Sequence, residues 1–345
     1  MMTEELFSSK FDELVELSHS SIKLQKLLTF AEELENQEEW GYLYYVNMEL
    51  AETAFSIGEI DLFIDTFLWC VDLYDQNEER IDQEQILWLY KWLLEIIPQS
   101  LRFSLEEIHH YFEDFKNRLV IANFSLRPYF QALFIMNLYL GQIDYAKQSY
   151  QLYKKSPRDN LSNCEKCEMY SEMIYLLKTD HLQEALNLQN KIMNSTVDCD
   201  EAIHKSYSKL LLPLLEDRKI DEALIIQQKA YFVTYNRTKY IPELSEQIIF
   251  LTFCDPDRAI ELFYKHVDLC DNLSNLSYKF EFWLAALFMA KKLKINEDEF
   301  IYDLVKLEKI VYDLAKDFDT RNENNEFVNR VNKLLSNVKN GMIFS

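Results

Sequence analysis

The chain has 345 residues, of which 48% are hydrophobic, and a formal net charge of −22 at pH 7. This much apolar surface excludes a fully disordered chain, and the acidic excess repels phosphate backbones and anionic membrane surfaces. We therefore expect no nucleic acid and no membrane among its partners, and a basic protein or peptide as the partner that the charge attracts. The alternative is that the charge serves solubility alone.

Glycine and proline are scarce, with four Gly and six Pro in the whole chain. β-Sandwiches and nucleotide-binding α/β folds need glycine at their turns, so this scarcity predicts an all-α protein. The N-terminus has no basic and apolar leader, and the longest apolar run, Ile86 to Ile97, is interrupted by Lys91 and Glu95 and is too short to cross a membrane. These features favour a cytoplasmic protein, in which thiols stay reduced.

In chain order, the apolar spacing predicts helices throughout, as one helical-repeat array over residues 1–345. We expect N-terminal capping helices over 1–36, repeats over 37–292 and C-terminal capping helices over 293–345. Within the repeats, Gly58 interrupts the apolar residues between 40 and 75, where the first helix of a hairpin needs a left-handed cap.

The helix from Ile86 is apolar nearly all round, which predicts burial on several sides, and Pro98 ends it. Further along, Ser125 and Pro128 indicate an N-cap followed by proline in the first helical turn. A repeat then becomes visible, in which four polar turns are each followed by an alanine. These alanines are 39, 38 and 36 residues apart, at Ala146, Ala185, Ala223 and Ala259.

The repeat period is close to the roughly 34 residues of a tetratricopeptide repeat. A small residue is needed where the second helix of a hairpin crosses the first closely, and alanine meets this need. The pattern predicts a right-handed solenoid of helical hairpins with tetratricopeptide-like repeats.

Near the C-terminus, the pattern predicts a helix that runs to Ala290 and a partner helix from Phe300 to Leu314, followed by a polar linker from Thr320 to Asn325. One face of the last helix is apolar and holds Phe327, Val328, Val331, Leu334, Leu335 and Val338. This profile favours a terminal capping helix, and the alternative is an amphipathic helix that binds a partner.

Two short pairs of potential metal ligands stand in the middle of the repeats. Cys164 and Cys167 form a Cys-x-x-Cys pair, and Cys199 and His204 follow after 31 intervening residues. Polar cap residues precede each pair, so we expect both pairs at the start of the first helix in neighbouring repeats. One hairpin lies between them and returns the chain to the same rim. The four side chains would then form a structural Cys3His zinc site without an open ligand position.

Two alternative roles for these cysteines stay open. One is a set of buried free thiols, as we expect for the single Cys70, Cys254 and Cys270 on apolar helices. The second is a redox Cys-x-x-Cys pair, although the usual strand before such a pair is missing. No hydrolase, metalloprotease or nucleotide-binding motif occurs, so we expect no enzymatic activity.

The region from 40 to 290 resembles tetratricopeptide-type repeat proteins, chiefly in its turns. The segment from Arg158 to Glu168, which contains Arg-Asp, Leu-Ser and Cys-x-x-Cys-Glu, resembles uncharacterised bacterial helical-repeat proteins that also carry a later Cys and His. The resemblance implies the fold and the metal, and it brings no activity with it.

Two hypotheses for function follow. The first is a scaffold that binds a protein or peptide in a concave groove, for example an immunity or antitoxin protein that neutralises a basic toxin. The alternative is a cytoplasmic peptide-sensing regulator that acts through a protein partner.

Overall fold

The computed structural model describes residues 2–76, 83–271, 273–296 and 300–340. In these ranges the regular structure is α-helix with short 3-10 turns and no β-strand, which confirms the all-α class. The chain forms two compact units, unit 1 over Met1–Ile96 and unit 2 over Ile97–Ser345. None of the described helices combines the length and the apolar composition needed to cross a bilayer.

Unit 1 is a set of helices that pack in sequence order, α2 on α3, α3 on α4 and α4 on α5. Its helices are α1 Glu4–Val15, α2 Ser21–Asn36, α3 Trp40–Ile57, α4 Ile60–Gln76 and α5 Gln83–Ile96. Thr3 and Ser20 cap the first two helices by accepting hydrogen bonds from N–H groups of the first turn. The core between α3 and α5 includes a stacked pair of rings, Phe55 and Trp92, whose centroids are 4.6 Å apart.

Unit 2 holds the remaining helices: α6 Leu105–Ile121, α7 Arg127–Tyr139, α8 Ile143–Lys155, α9 Glu165–Lys178, α10 Leu182–Asn194, α11 Glu201–Lys209, α12 Leu211–Glu216, α13 Ile220–Thr234, α14 Ile241–Cys254, α15 Pro256–Asp271, α16 Leu276–Leu293, α17 Leu304–Asn322 and α18 Glu326–Asn340. Neighbours in the chain pack in pairs, α7 with α8, α9 with α10, α11 and α12 with α13, and α14 with α15. The first helices of these pairs, α7, α9, α11 and α14, also pack on one another in that order, and α14 packs on α16.

Four turns inside helix pairs share one backbone geometry. A residue with positive φ stands two positions before the second helix, at Gly58, Gly141, Asp180 and Arg218, whose φ angles are 92°, 74°, 62° and 61°. The next N–H bonds back to a carbonyl of the preceding helix at 2.8 to 2.9 Å, which is the Schellman arrangement. The alanine at the fourth position of the following helix has no exposed surface in Ala146, Ala185, Ala223 and Ala259. The first three of these alanines follow the shared turn, whereas α14 passes into α15 through Asp255 at φ −150°.

The helix that carries His204 is interrupted in the structure. α11 starts at Glu201 and ends at Lys209, before α12 begins at Leu211. Pro213 explains the break, because it has no N–H to donate and its ring clashes with the carbonyl four residues earlier, that of Lys209.

The helix expected over Phe300 to Leu314 lies further along the chain. Asp303 accepts hydrogen bonds from the N–H groups of Val305 and Lys306, so α17 starts at Leu304. It continues to Asn322, which shortens the expected linker to residues 323–325. The side chain of Val338 and residues 341–345, which belong to the expected last helix and C-terminal cap, lie outside the described residues.

Arg321 joins the end of α17 to the first residues of unit 2. Its guanidinium donates to the carbonyl oxygens of Ser100 at 2.8 Å and Phe103 at 3.2 Å, and also to that of Pro98. More than 200 residues separate these groups in the chain. Arg321 therefore ties the last turn of α17 to the segment that opens unit 2.

Candidate metal centre

Three cysteine sulfurs converge in unit 2. The Sγ atoms of Cys164, Cys167 and Cys199 all lie within 4.8 Å of one another, and each residue is half-buried. Cys167 and Cys199 approach to 3.5 Å between their sulfurs. A disulfide would need about 2.05 Å, whereas two sulfurs on one tetrahedral zinc ion, each bonded at about 2.3 Å, lie about 3.8 Å apart. The observed distance therefore fits metal ligands or neighbouring thiols and excludes a disulfide.

The first two thiols are set by the start of α9. Cys164 is the N-cap residue, and its Sγ accepts a hydrogen bond from the N–H of Cys167 at 3.4 Å. Cys164 itself, and not one of the polar residues before it, therefore takes the capping position. An N–H donor at a sulfur stabilises negative charge on it, as does the positive end of the helix dipole. This position suits a thiolate ligand.

Cys167 has a thiol that resists ionisation in the absence of a cation. Burial raises its pKa, and the nearby sulfurs of Cys164 and Cys199 add to the effect. A thiol with a raised pKa is a poor redox nucleophile at neutral pH. A metal ion favours the ionised thiolates instead, because its positive charge compensates the negative charge of several sulfurs at once. The donor set thus fits a soft divalent metal better than a redox pair.

Glu168, the residue after the second cysteine, is the centre of a buried ion-pair network. Arg127 donates to both of its carboxylate oxygens, at 2.8 and 3.0 Å, and Arg158 donates to one of them. Arg127 also donates to the carbonyls of Tyr153 at 3.0 Å and Ser156 at 2.8 Å. Arg127 is 9% exposed and Glu168 5%. The network fastens the start of α9 to α7 and to the end of α8.

The loop before Cys164 is held by its own polar contacts. Asp159 accepts hydrogen bonds from the N–H of Leu161 at 3.1 Å and from the hydroxyl of Ser162 at 3.3 Å, both through Oδ1. Its other oxygen accepts from the N–H of Ser125 at 2.6 Å. The loop is therefore tied to the segment that begins α7, and it delivers the first cysteine from a constrained backbone.

A chain of amide and hydroxyl groups supports the same region. Asn163 donates to Gln131 at 3.1 Å, Gln131 donates to Ser171 at 2.9 Å, and Ser171 donates to the carbonyl of Cys167 at 3.1 Å. Arg158 closes the set by donating to the Asn163 carbonyl at 2.9 Å. Such contacts around a ligand loop keep its side chains oriented before a metal binds.

The third cysteine comes from the loop between α10 and α11. Two residues later, Glu201 begins α11 and forms ion pairs with Lys205 at 2.9 Å and Lys239 at 3.2 Å. The Lys205 charge, with a further contribution from Lys239, lowers the pKa of Glu201 to about 2. The carboxylate at the helix N-terminus also matches the helix dipole. The residues after Cys199 are thus anchored electrostatically.

His204, the fourth expected ligand, is not a member of the three-sulfur group. Its Nδ1 lies 3.1 Å from the hydroxyl of Tyr240, and the two rings meet edge to face with centroids 5.8 Å apart. Desolvation lowers the pKa of His204, so the imidazole is neutral at pH 7. When Nδ1 carries the proton and donates to Tyr240, Nε2 keeps the lone pair that a metal requires.

Some of the supporting residues have no signal in the local sequence. Arg158 and Glu168 belong to the short segment around the Cys-x-x-Cys pair, but Arg127 is 41 residues away from Glu168 and Tyr240 is 36 residues away from His204. The spacing of successive helix pairs places Arg127 in the first helix of the neighbouring pair and Tyr240 directly before the first helix of another, so counting one pair outward from each site residue is the signal that would have found them.

The three remaining cysteines do not join the cluster. Cys70 and Cys270 are buried, and Cys254 is half-buried. Burial raises the pKa of each of these thiols.

The sequence matches no protein-family model and shows no significant similarity to any curated protein.

Proposed function

We propose that this chain is a helical-repeat binding protein in which a structural zinc ion joins two neighbouring helix pairs. The observation that carries the metal is the convergence within 4.8 Å of three sulfurs, two from the start of α9 and one from the loop before α11. Thiolates are ligands that zinc prefers, and Cys164, Cys167 and Cys199 supply three of them. His204 on α11 would complete the set after a change of side-chain position.

The bound ion would supply positive charge to neutralise the thiolates and a link between the start of α9 and the start of α11. Four protein ligands leave no position for water or substrate, which assigns the metal a structural and not a catalytic role. The polar loop between α10 and α11 is the segment that this link stabilises.

Elemental analysis of protein purified without added metal tests this assignment. We expect about one equivalent of zinc per chain and a lower melting temperature after treatment with a strong chelator. Less than about half an equivalent, together with an unchanged melting temperature, would contradict the zinc site.

The proposed binding surface is formed by the first helices of the pairs, arranged as a right-handed solenoid with a concave side. The evidence for this surface is a pair of charged, partly enclosed side chains on two successive first helices. Lys209 on α11 pairs with Glu246 on α14 at 2.7 Å, with side chains 24% and 26% exposed. Desolvation alone would lower the pKa of Lys209, but the charges of Glu246, Tyr170 and Glu243 raise it. Charged groups that are crowded yet accessible are typical of a cleft.

The partner we propose is a basic protein or peptide, and an immunity or antitoxin protein acting on a basic toxin is the specific form. The net charge of −22 supports the sign of the partner's charge, because it accelerates association with a cationic molecule. Affinity capture from native cells, at about 50 and 500 mM salt, is the test. A stoichiometric basic protein that is lost at high salt is expected, and recovery of no stoichiometric protein would contradict the proposal.

A further inference from the structure

The last helix of the chain does not contact only the last helix pair. α18 packs on α16 and α17, and its N-terminal end also reaches the turn between α7 and α8. Asn324 donates to the carbonyl of Leu140 at 2.8 Å, and the ring of Phe327 lies 5.5 Å from that of Tyr139. A helix that only caps a repeat array contacts the terminal repeat alone. α18 instead bridges helices from different parts of unit 2.

The first turn of α18 fits closely against this earlier turn. A Cβ atom built on Gly141 would lie 2.8 Å from the carboxylate of Glu326. At the same end, Asp319 of α17 accepts hydrogen bonds from the N–H groups of Phe327 at 2.8 Å and Val328 at 2.9 Å. These contacts define where α18 begins and how it enters the surface.

Arg330 is the main polar contact of α18. Its guanidinium lies 2.8 Å from both carboxylate oxygens of Glu281 on α16. It also lies over the rings of Phe280 and Phe327, at 5.6 and 5.4 Å from their centroids. An arginine held between two aromatic rings and a carboxylate has the chemistry of an interface hot spot.

Charged groups of two further helices face α18. Desolvation lowers the pKa of Lys178 on α9, and the Arg330 charge lowers it further. Desolvation raises the pKa of Glu216 on α12, while the charge of Lys333 acts against this rise. The cations of α18 are therefore close to helices α9, α12 and α16, which extends the surface across several helix pairs.

α18 is less deeply embedded than its neighbours. Of its side chains up to Ser336, only Phe327 and Val331 are fully buried, and Val328, Leu334 and Leu335 are half-buried. By contrast, α16 buries eleven residues. Because α18 buries two side chains in this stretch and α16 buries eleven, release of α18 exposes less apolar surface than disruption of the core around α16.

We propose that the surface under α18, formed by Tyr139, Gly141, Phe280 and Glu281, binds a partner through a basic amphipathic helix, and that α18 occupies it as an intramolecular competitor. The partner helix would present an aromatic residue, a cation three positions later and a β-branched residue next to it, as Phe327, Arg330 and Val331 do. This inference rests on the proposed binding function and identifies its surface and the chemistry of its ligand.

A labelled peptide with the sequence of residues 326–340, titrated by fluorescence anisotropy into the full-length protein, tests the proposal. Wild-type protein should bind it weakly, because its own α18 covers the surface and reduces the fraction of competent molecules. Arg330→Glu places two carboxylates together and releases α18, so we expect peptide binding at least about tenfold tighter than for the wild type.

A charge exchange provides the specific control. In the double variant Arg330→Glu with Glu281→Arg the ion pair is rebuilt in reverse, so α18 should return and binding of the same peptide should fall to the wild-type level or below. Lys306→Glu makes the same charge change on an exposed position of α17, where the side chain is 80% exposed, and should bind the peptide as the wild type does.

Equal peptide affinity in the wild type and the Arg330→Glu variant would overturn the proposal. Cooperative loss of the helical circular-dichroism signal in the Arg330→Glu variant would also overturn it, because α18 would then be an integral part of the core. Zinc content and the capture experiment do not depend on this peptide. A negative peptide result would therefore contradict only the α18 proposal. A negative result for zinc content or for partner capture would contradict the proposed function.

Discussion

The sulfur atoms of Cys167 and Cys199 lie 3.5 Å apart, although most of α9 and all of α10 stand between them in the chain. Cys167 lies in the first turn of α9 and Cys199 in the loop before α11, so each segment limits the position of the other. A substitution at either cysteine should therefore affect both segments.

Replacing one thiol tests this relationship through the metal. Cys199→Ser removes a sulfur ligand, and we expect less than half an equivalent of zinc and no further effect of chelator on the melting temperature. With zinc at about 100 to 1,000 times its dissociation constant, the lost stabilisation would be about 3 to 4 kcal/mol. Metal analysis and denaturant unfolding measure the two effects.

The matched control is Cys254→Ser, because Cys254 is also half-buried and lies outside the three-sulfur group. It should keep its zinc. Equal zinc content in the two variants would show that the sulfur cluster is not the metal site.

Because Arg127 forms a buried ion pair with Glu168, we expect Arg127→Lys to destabilise the protein. Lysine keeps the charge, but it cannot contact both oxygens of Glu168 and the carbonyls of Tyr153 and Ser156 at the same time. We expect a loss of about 2 to 4 kcal/mol in unfolding free energy, because Glu168 stays buried with poorer pairing.

Lys265→Ala is the comparison, since it breaks an exposed ion pair with Glu261 and should leave the unfolding free energy nearly unchanged. A loss for Arg127→Lys as small as this would mean that the network around Glu168 does not hold the start of α9.

The ion pairs of Glu201 predict a dependence of stability on acid pH. Because its pKa falls from 4.5 to about 2 in the folded chain, its stabilising contribution is complete above about pH 4.5 and is lost as pH falls towards 2. The side chain is 37% exposed, so solvent screening limits the effect to about 1 kcal/mol.

Unfolding of the wild type and Glu201→Gln at several pH values between 2 and 6 measures this contribution. The difference between the two proteins should be largest at pH 6 and vanish near pH 2. A difference that stays constant over this range would assign the effect to packing and not to the charge of Glu201.

We expect the substitution of glycine by alanine to have opposite effects on stability at Gly141 and at Gly41. Gly141→Ala places a side chain at φ 74° and against Glu326, so we expect a loss of about 1 to 2 kcal/mol in unfolding free energy. Gly41 lies in α3, and a Cβ atom built there would have no neighbour within 4 Å beyond its own stretch of helix. Gly41→Ala should therefore raise the unfolding free energy by about 0.5 to 1 kcal/mol. Thermal unfolding of both variants is the measurement, and a gain at Gly141 would contradict the strained turn.

Local patterns are sufficient for much of the fold. The few glycines indicate an all-α chain, and the buried alanines at 146, 185, 223 and 259 mark turns whose geometry the structure shows directly. Helix ends are less accessible to this reasoning. Pro213 removes a backbone hydrogen bond and Asp303 accepts two from the first turn of α17, and apolar spacing reveals neither effect.

For the candidate metal centre, residue types and spacing predicted that Cys164, Cys167, Cys199 and His204 meet, since the hairpin between the two pairs returns the chain to the same edge. The three cysteines lie together, and His204 stands outside their group. Only the tertiary structure decided the rest. The contact of Arg127 with Glu168, the pairing of His204 with Tyr240 and the position of α18 against Tyr139 and Glu281 depend on packing between helices far apart in the chain. Sequence periodicity identifies which face of a helix is apolar, but the neighbour that covers that face is set by the three-dimensional arrangement.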